Sequence, residues 1–339
     1  VLSIAWTATR WATIGGLVPL VGLAIAGIAV ATVRDQVQIL RIVADVARVA
    51  LGASLVLELL SGILLDTPFE FLGIDGNLAE LGPIQGVVGS SDRLGVLAVV
   101  AGITFGVEWF TRAVPRGLSI TSMAAAALVF AFTRSGVASI VVVVVAVAVV
   151  LLWLLRRVST TTRRAIQWSV LGVLGLTAMI AWVARGPLIV ALDSSTSNRD
   201  LVDLWQGSWS MIDLNPVTGW GWIGPWNIEL SPYRYIGVRV PGDPGSASNA
   251  VLDVLLQLGV VGLLAFAALA GLAIVRTWRL ASTSKPIIST WPALFLVALG
   301  AASVADSLVL VDWGWLLLII GAGIGSRRAG WGRVVSAAR

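Results

Sequence analysis

Long apolar runs separated by short polar stretches set the pattern of this chain. A bilayer core about 30 Å thick is spanned by roughly 20 apolar residues in a helix. Runs of that kind cover residues 11–33, 46–65, 94–110, 117–132, 136–155, 168–184, 250–275, 288–305 and 308–325. Several are continuous Val, Leu and Ala tracts without a polar stripe, as from Ile140 to Leu155. The two-residue alternation of a transmembrane barrel is missing. The pattern predicts an all-α, polytopic integral membrane helical bundle of about nine spans. It divides the chain into N-terminal membrane helices over 1–184, an extracytoplasmic loop over 185–248 and C-terminal membrane helices over 249–339.

Composition narrows the chemistry. Of 339 residues, 58% are hydrophobic and 12% charged, whereas a soluble domain carries about 25% charged residues. A disordered chain, a nucleic-acid-binding domain and an ordinary soluble enzyme are excluded. Cysteine and histidine are both absent. Disulfides, thiolate chemistry, His-ligated metals and an imidazole base go with them. Arg, Asp, Glu and hydroxyl groups are left to act, and neither a metal site nor a cofactor is expected.

The net charge of +5 comes from 23 basic and 18 acidic residues. Arg34 and Arg41, Arg112 and Arg116, Arg156 to Arg164, Arg276 to Lys285, and Arg327 to Arg339 all fall between or after runs of one parity. Basic residues in short loops mark the cytoplasmic side. The positive charge is therefore a topology signal, and no nucleic-acid partner is expected. Nine crossings with a cytoplasmic C-terminus place Val1 outside. Arg10 precedes the first run, but no small-residue cleavage site follows it, so no cleavable signal peptide is read there.

Two opposite loops stand out. Residues 66–92 carry Asp66, Glu70, Asp75, Glu80 and Asp92. Residues 185–248 are far longer than a connection needs, and hold Trp205, Trp209, Trp220, Trp222 and Trp226 out of 16 Trp in the chain. Ser197 or Asn198 can cap a helix there, with Asp200 in its first turn. Leu201, Leu204, Trp205, Ser208, Trp209 and Ile212 recur at helical spacing. This predicts an amphipathic helix lying on the outer membrane surface, followed by a Gly/Pro/Trp loop. The tryptophans suit either an interfacial belt or stacking on sugar rings.

Ionisable groups at membrane depth cost at least about 2.5–3.5 kcal/mol and point to function. Arg134 interrupts the apolar stretch from Ile120 to Leu155 at an outer hairpin, Thr133-Arg134-Ser135-Gly136. It is either a turn residue or a fixed cation facing an anionic substrate, because a guanidinium holds phosphate oxygens bidentately. Arg199 opens the outer helix, where free N–H groups attract anions; alternatively it pairs with Asp203. Glu58 lies roughly 10 Å inside its run and is expected to pair with an Arg or to act chemically. Asp253 sits one turn past Asn249. Arg41, Asp45 and Arg48 are spaced for intrahelical pairing.

Residues 196–262 carry a resemblance. Asn198-Arg199, Leu204-Trp205, Asn215-Pro216-Val217-Thr218-Gly219-Trp220-Gly221, and the stretch from Ser248-Asn249 through Gly259-Val260-Val261-Gly262 follow in order. This arrangement resembles the C-terminal module of the O-antigen ligase and O-antigen polymerase family, with its N-P-x-x-G-x-G turn and H-N-x-x-L-x-x-L-x-x-x-G-x-x-G entry into a membrane helix. Thr133-Arg134-Ser135 resembles the family's upstream S-R element. Gly86 to Gly95 resembles its G-x-x-x-x-x-N-x-x-G stretch, with Asp92 near the usual Asn.

The resemblance implies an extracytoplasmic, metal-independent glycosyltransferase in the plasma (inner) membrane of a bacterium. Its donor would be a glycan on undecaprenyl diphosphate and its acceptor a glycan or lipid, both met among membrane lipids. It implies Arg134 and Arg199 as holders of the lipid diphosphate. Ser248 stands where the family has the His that activates the acceptor, beside Asn249. Asp253, Asp243 and Glu58 are then alternative proton acceptors. Arg93, Trp205, Trp220, Trp222, Arg234 and Arg239 complete the expected substrate-binding set. Polysaccharide polymerisation is the leading expectation. Ligase-like transfer to a lipid or protein, a lipid-linked-sugar transporter and a non-catalytic assembly subunit remain alternatives. Members have about twelve spans, which would add three helices before Val1.

Overall fold

Runs of apolar residues with no water to satisfy their backbone fold as helices, the one structure that pairs every N–H and C=O within a single segment. The computed structural model describes residues 2–65, 67–69, 73–76, 78, 82–169, 172, 196–238, 240 and 244–337, with side chains at 196–198 and 328–337 left aside. Among these residues there is no β-strand. The helices are α1 (Arg10–Val33), α2 (Gln36–Leu59), α3 (Ser91–Thr111), α4 (Arg116–Thr133), α5 (Gly136–Leu155), α6 (Thr196–Ile212), α7 (Tyr233–Gly237), α8 (Ala250–Thr283), α9 (Trp291–Ala302) and α10 (Asp312–Ala337).

Six helices among the described residues are long and apolar enough to cross a membrane: α1, α2 with its extension to Leu65, α3, α4, α5 and α8. The protein is an all-α multi-pass membrane protein. Large apolar side chains such as Val49, Ile140, Val143 and Leu264 are exposed on these helices, as lipid-facing positions require. The apolar run at 168–184 falls mostly outside the described residues. The run at 288–305 folds as a shorter apolar helix, Ile287–Ala302. Its helix α9 has 12 residues, about 18 Å at 1.5 Å per residue, and is buried along nearly its whole length.

Packing divides the chain into two compact units. One comprises Val1–Leu20 with Val150–Ala267, the other Val21–Val149 with Ala268–Arg339. In the second unit Ala44, Ala47 and Leu51 of α2 meet Leu94, Ala98, Ala101 and Phe105 of α3 and Ala126 and Val129 of α4. Small residues at such seams let helix backbones approach closely. Near one end, Arg48 pairs with Asp45 at 2.7 Å within α2 and with the buried carboxylate of Glu108 on α3. The intrahelical pair was expected; the Glu108 partner was not.

The first unit is built around α6. Its Leu204 and Ile212 pack with Ile223, Trp226, Tyr233, Ile236, Ala247, Leu252, Leu255 and Leu256, flanked by Leu201, Trp205 and Trp209. The apolar face read from the sequence is therefore correct, but protein covers it. The loop after α6 folds back and supplies the residues that a membrane surface was expected to supply. The capping role expected of Ser197 or Asn198 falls on side chains outside those described.

Candidate functional site

The tryptophan-rich loop meets α8 at a break in that helix. Gly259 has φ 64° and ψ −166°, a conformation essentially reserved for glycine. An interruption of this kind orphans carbonyls before it and N–H groups after it. The Asn215-to-Gly221 turn satisfies both sets. Trp220 N–H donates to the Leu256 carbonyl at 3.0 Å and Gly221 N–H to the Gln257 carbonyl at 2.8 Å. In the other direction, Val260 N–H donates to the Pro216 carbonyl at 2.9 Å and Val261 N–H to that of Val217 at 3.4 Å. The Gln257 side chain adds three bonds, donating to the Gly224 carbonyl and accepting from Ile223 N–H and Gly224 N–H. Gln257 escaped notice in the sequence, although a Gln two residues before a Gly in an apolar run was the available signal.

The same loop is fastened at the head of α8. Asn249 caps that helix, its side-chain oxygen accepting Val251 N–H at 2.9 Å and Leu252 N–H at 3.2 Å. Ser248 precedes it with φ 48°. Asp253 is 2% exposed. One carboxylate oxygen accepts Trp226 Nε1–H at 2.6 Å and the other Ala247 N–H at 3.2 Å. Tyr233 is buried against Trp226, ring centroids 5.2 Å apart. Burial, and then the Asp253 carboxylate, push its phenol far above the usual range, so the hydroxyl stays protonated.

The tryptophans serve packing. Trp222 and Trp226 are buried, and Trp205, Trp209 and Trp220 lie half-buried against the core around α6. Trp205 Nε1–H donates to the Ala247 carbonyl, Trp220 Nε1–H to that of Met211, and Trp222 Nε1–H to that of Gly16. A sugar needs an open ring face, and Trp222 has none. Arg199 is exposed near the start of α6, and Arg234 is exposed on α7. Arg239 and Asp243 lie outside the described residues.

In the second unit, Arg134 ends α4 in the left-handed conformation, φ 47° and ψ 25°. Its guanidinium is exposed and makes no hydrogen bond or ion pair among the described residues. The next residue, Ser135, is buried. It starts α5 by accepting Ala138 N–H at 2.9 Å, and donates its hydroxyl to the Asp92 carboxylate. Gly95, one turn along α3 from Asp92, faces the same corner, where a β-carbon would stand 2.7 Å from that of Ala138.

Glu58 is fully buried in α2, and its expected Arg partner is replaced by backbone. One carboxylate oxygen accepts Gln85 N–H at 2.7 Å and Gly86 N–H at 2.8 Å. A sequence displays opposite charges but not free amides, which is why this partner was missed. Arg93 pairs with Asp306 at 3.2 Å and is part-buried. Among the described residues no cluster of acidic groups suits a metal ion.

Residues 120–267 match the family model described as O-antigen ligase. This segment belongs to the O-antigen ligase family. The matched O-antigen ligase segment begins in α4 and ends in α8 beyond the Gly259 break. It contains Arg134, Arg199, the Trp-rich loop and Ser248-Asn249, whereas Glu58 and Asp92 precede it. No curated protein matches the chain. An O-antigen ligase domain supports a role in glycan transfer during polysaccharide assembly, with lipid-linked glycan and acceptor substrates in the membrane.

Proposed function

We propose that the protein is an extracytoplasmic glycosyltransferase that polymerises a cell-surface polysaccharide in a bacterial plasma membrane. The donor is a glycan on undecaprenyl diphosphate, and the acceptor a sugar hydroxyl of a growing chain. The acceptor oxygen bonds to the anomeric carbon as the bond from that carbon to the diphosphate oxygen breaks. The acceptor proton passes to the departing diphosphate. Arg134 holds the diphosphate and stabilises the charge that develops on it, electrostatic catalysis at a fixed cationic site, and Arg199 is proposed to contact the lipid-linked donor. Ser248 and Asn249 orient the acceptor. A serine hydroxyl is too weak a base to take the proton at neutral pH but can hydrogen-bond it into position.

The observation that carries this reading is Arg134. A bidentate cation stands exposed, with no ion pair among the described residues, on a braced turn inside the O-antigen ligase segment. Asp253 enters in a different role from the proton acceptor expected of it. With both oxygens accepting from the loop, it holds the Ser248 corner. Arg234 and Arg239 are proposed to contact the glycan, and Arg93 to remain bound to Asp306.

The test is direct. Purified protein in lipid nanodiscs is given an undecaprenyl-diphosphate-linked oligosaccharide, and products are resolved by size. Chain growth with release of undecaprenyl diphosphate is expected. Transfer of one unit to an added lipid acceptor without chain growth would make the protein a ligase instead. An unchanged donor with both acceptors present would end the enzymatic reading.

A further inference from the structure

Asp92 belongs to none of the residues assigned above, yet it reaches the turn that presents Arg134. We infer that Asp92 is a positioning residue which, through the Ser135 hydroxyl, fixes the Arg134 turn in the conformation that receives an anionic lipid headgroup. The inference deepens the diphosphate reading and rests on it.

A non-glycine residue at φ 47° occupies a sparsely populated region and persists only where its surroundings over-determine it. Among the described residues Arg134 has no side-chain partner to do so. The determinants are its neighbours. Before it, Phe132 offers its carbonyl to Ile84 N–H at 3.2 Å, pinning the end of α4 to the chain leading into α3. After it, the Ser135 oxygen accepts Ala138 N–H and so begins α5. A hydroxyl has one proton to give, and here it goes to Asp92 on the first turn of α3. Because Ser135 is 5% exposed, water offers no ready substitute.

A second link continues behind the first. Glu58 of α2 receives the N–H groups of Gln85 and Gly86, and Ser54 receives that of Val87. This fixes the turn at Gly86–Val88, four residues ahead of Asp92. The Arg134 turn is thus tied to α2 and α3 as well as to its own two helices. Asp92 is also well placed electrostatically, since a carboxylate on the first turn of a helix is favoured by the helix dipole.

The experiment measures binding of undecaprenyl diphosphate to the full-length protein in nanodiscs, together with hydrogen exchange over residues 134–138. Asp92→Ala and Ser135→Ala are each expected to weaken binding about tenfold. The double variant should lose no more than Ser135→Ala alone, because the bond that Asp92→Ala removes is already gone from it. Asp92→Asn should stay within about threefold of the unchanged protein, its amide oxygen accepting the same hydroxyl. Asp92→Ala should also accelerate exchange at 134–138. Unchanged affinity in Asp92→Ala, while Arg134→Ala binds weakly, overturns the positioning role and leaves the diphosphate reading intact. Full affinity in Arg134→Ala overturns the diphosphate reading and this inference with it. Unchanged exchange in a folded Asp92→Ala protein overturns the brace whatever the affinities are.

Discussion

The carbonyl oxygen of Val217 stands 2.2 Å from the place a β-carbon on Gly259 would occupy. That approach explains why the turn at Asn215–Gly221 and the glycine inside α8 occur together: neither closes without the other. Any side chain at position 259 must displace the turn or refold the break as helix, and φ 64° adds about 1–3 kcal/mol of strain for a non-glycine residue. Gly259→Ala is expected to lower the unfolding temperature in detergent and expose the loop to protease. Unchanged melting and protection would show that the docked turn contributes little.

A role for each arginine in binding the lipid-linked donor predicts how its variants behave. Arg134→Ala and Arg199→Ala should each cut turnover by about 100-fold, the scale of losing one stabilising donor. Lys should rescue poorly at either position because it lacks the two-pronged guanidinium. Steady-state rates on a lipid-linked oligosaccharide decide this, with melting curves showing that each variant is folded.

Asp253 offers a sharper discrimination. As a brace, its Asn variant keeps one acceptor oxygen and loses the other, leaving Ala247 N–H or Trp226 Nε1–H unsatisfied at a cost of about 1–3 kcal/mol. Asp253→Asn should therefore melt earlier, shift the tryptophan fluorescence and retain measurable chain growth. Complete loss of growth with unaltered fluorescence and melting would return Asp253 to the role of proton acceptor.

Glu58 predicts a pair of opposite outcomes. Glu58→Gln keeps an oxygen for Gln85 N–H and Gly86 N–H and should be tolerated. Glu58→Ala leaves the buried Gly86 amide and the part-buried Gln85 amide without this partner and should destabilise by about 1–3 kcal/mol for the first and less for the second. Thermal unfolding of both in the same detergent checks the contrast.

Sidedness follows from the basic clusters. The chain has no cysteine, so single probes report cleanly. Tyr235→Cys, at a side chain 62% exposed, should react with a membrane-impermeant maleimide in intact cells. Thr160→Cys should react only after lysis. The reverse pattern would turn the arrangement over and move the proposed chemistry to the cytoplasm.

Much of this was legible in the sequence, for identifiable reasons. The apolar tracts of α1 and α5 need no partner to announce themselves. The face from Leu201 to Ile212 on α6 could be read from its spacing. What covers that face could not, because periodicity identifies an apolar stripe but not whether lipid or protein meets it. The shortness of α9 was hidden for a related reason: apolar residues continue past Ala302 although the helix ends there. Arg134 announced itself as a charge in an apolar stretch. The Asp92 and Ser135 support did not, since its two members are separated by 43 positions.

The broken helix bears on how the protein is made. Inside a bilayer each unsatisfied backbone group costs several kcal/mol. The carbonyls of Leu256 and Gln257 and the N–H groups of Val260 and Val261 find their partners in the turn that precedes α8 in the chain. A nascent α8 entering the lipid with Gly259 already bent would expose all four. The turn must already be synthesised and delivered to its side of the membrane before this span can settle into its final form. Assembly therefore has an order, loop first and bend second, and without the docked turn α8 would be left as a straight, provisional helix awaiting its partner.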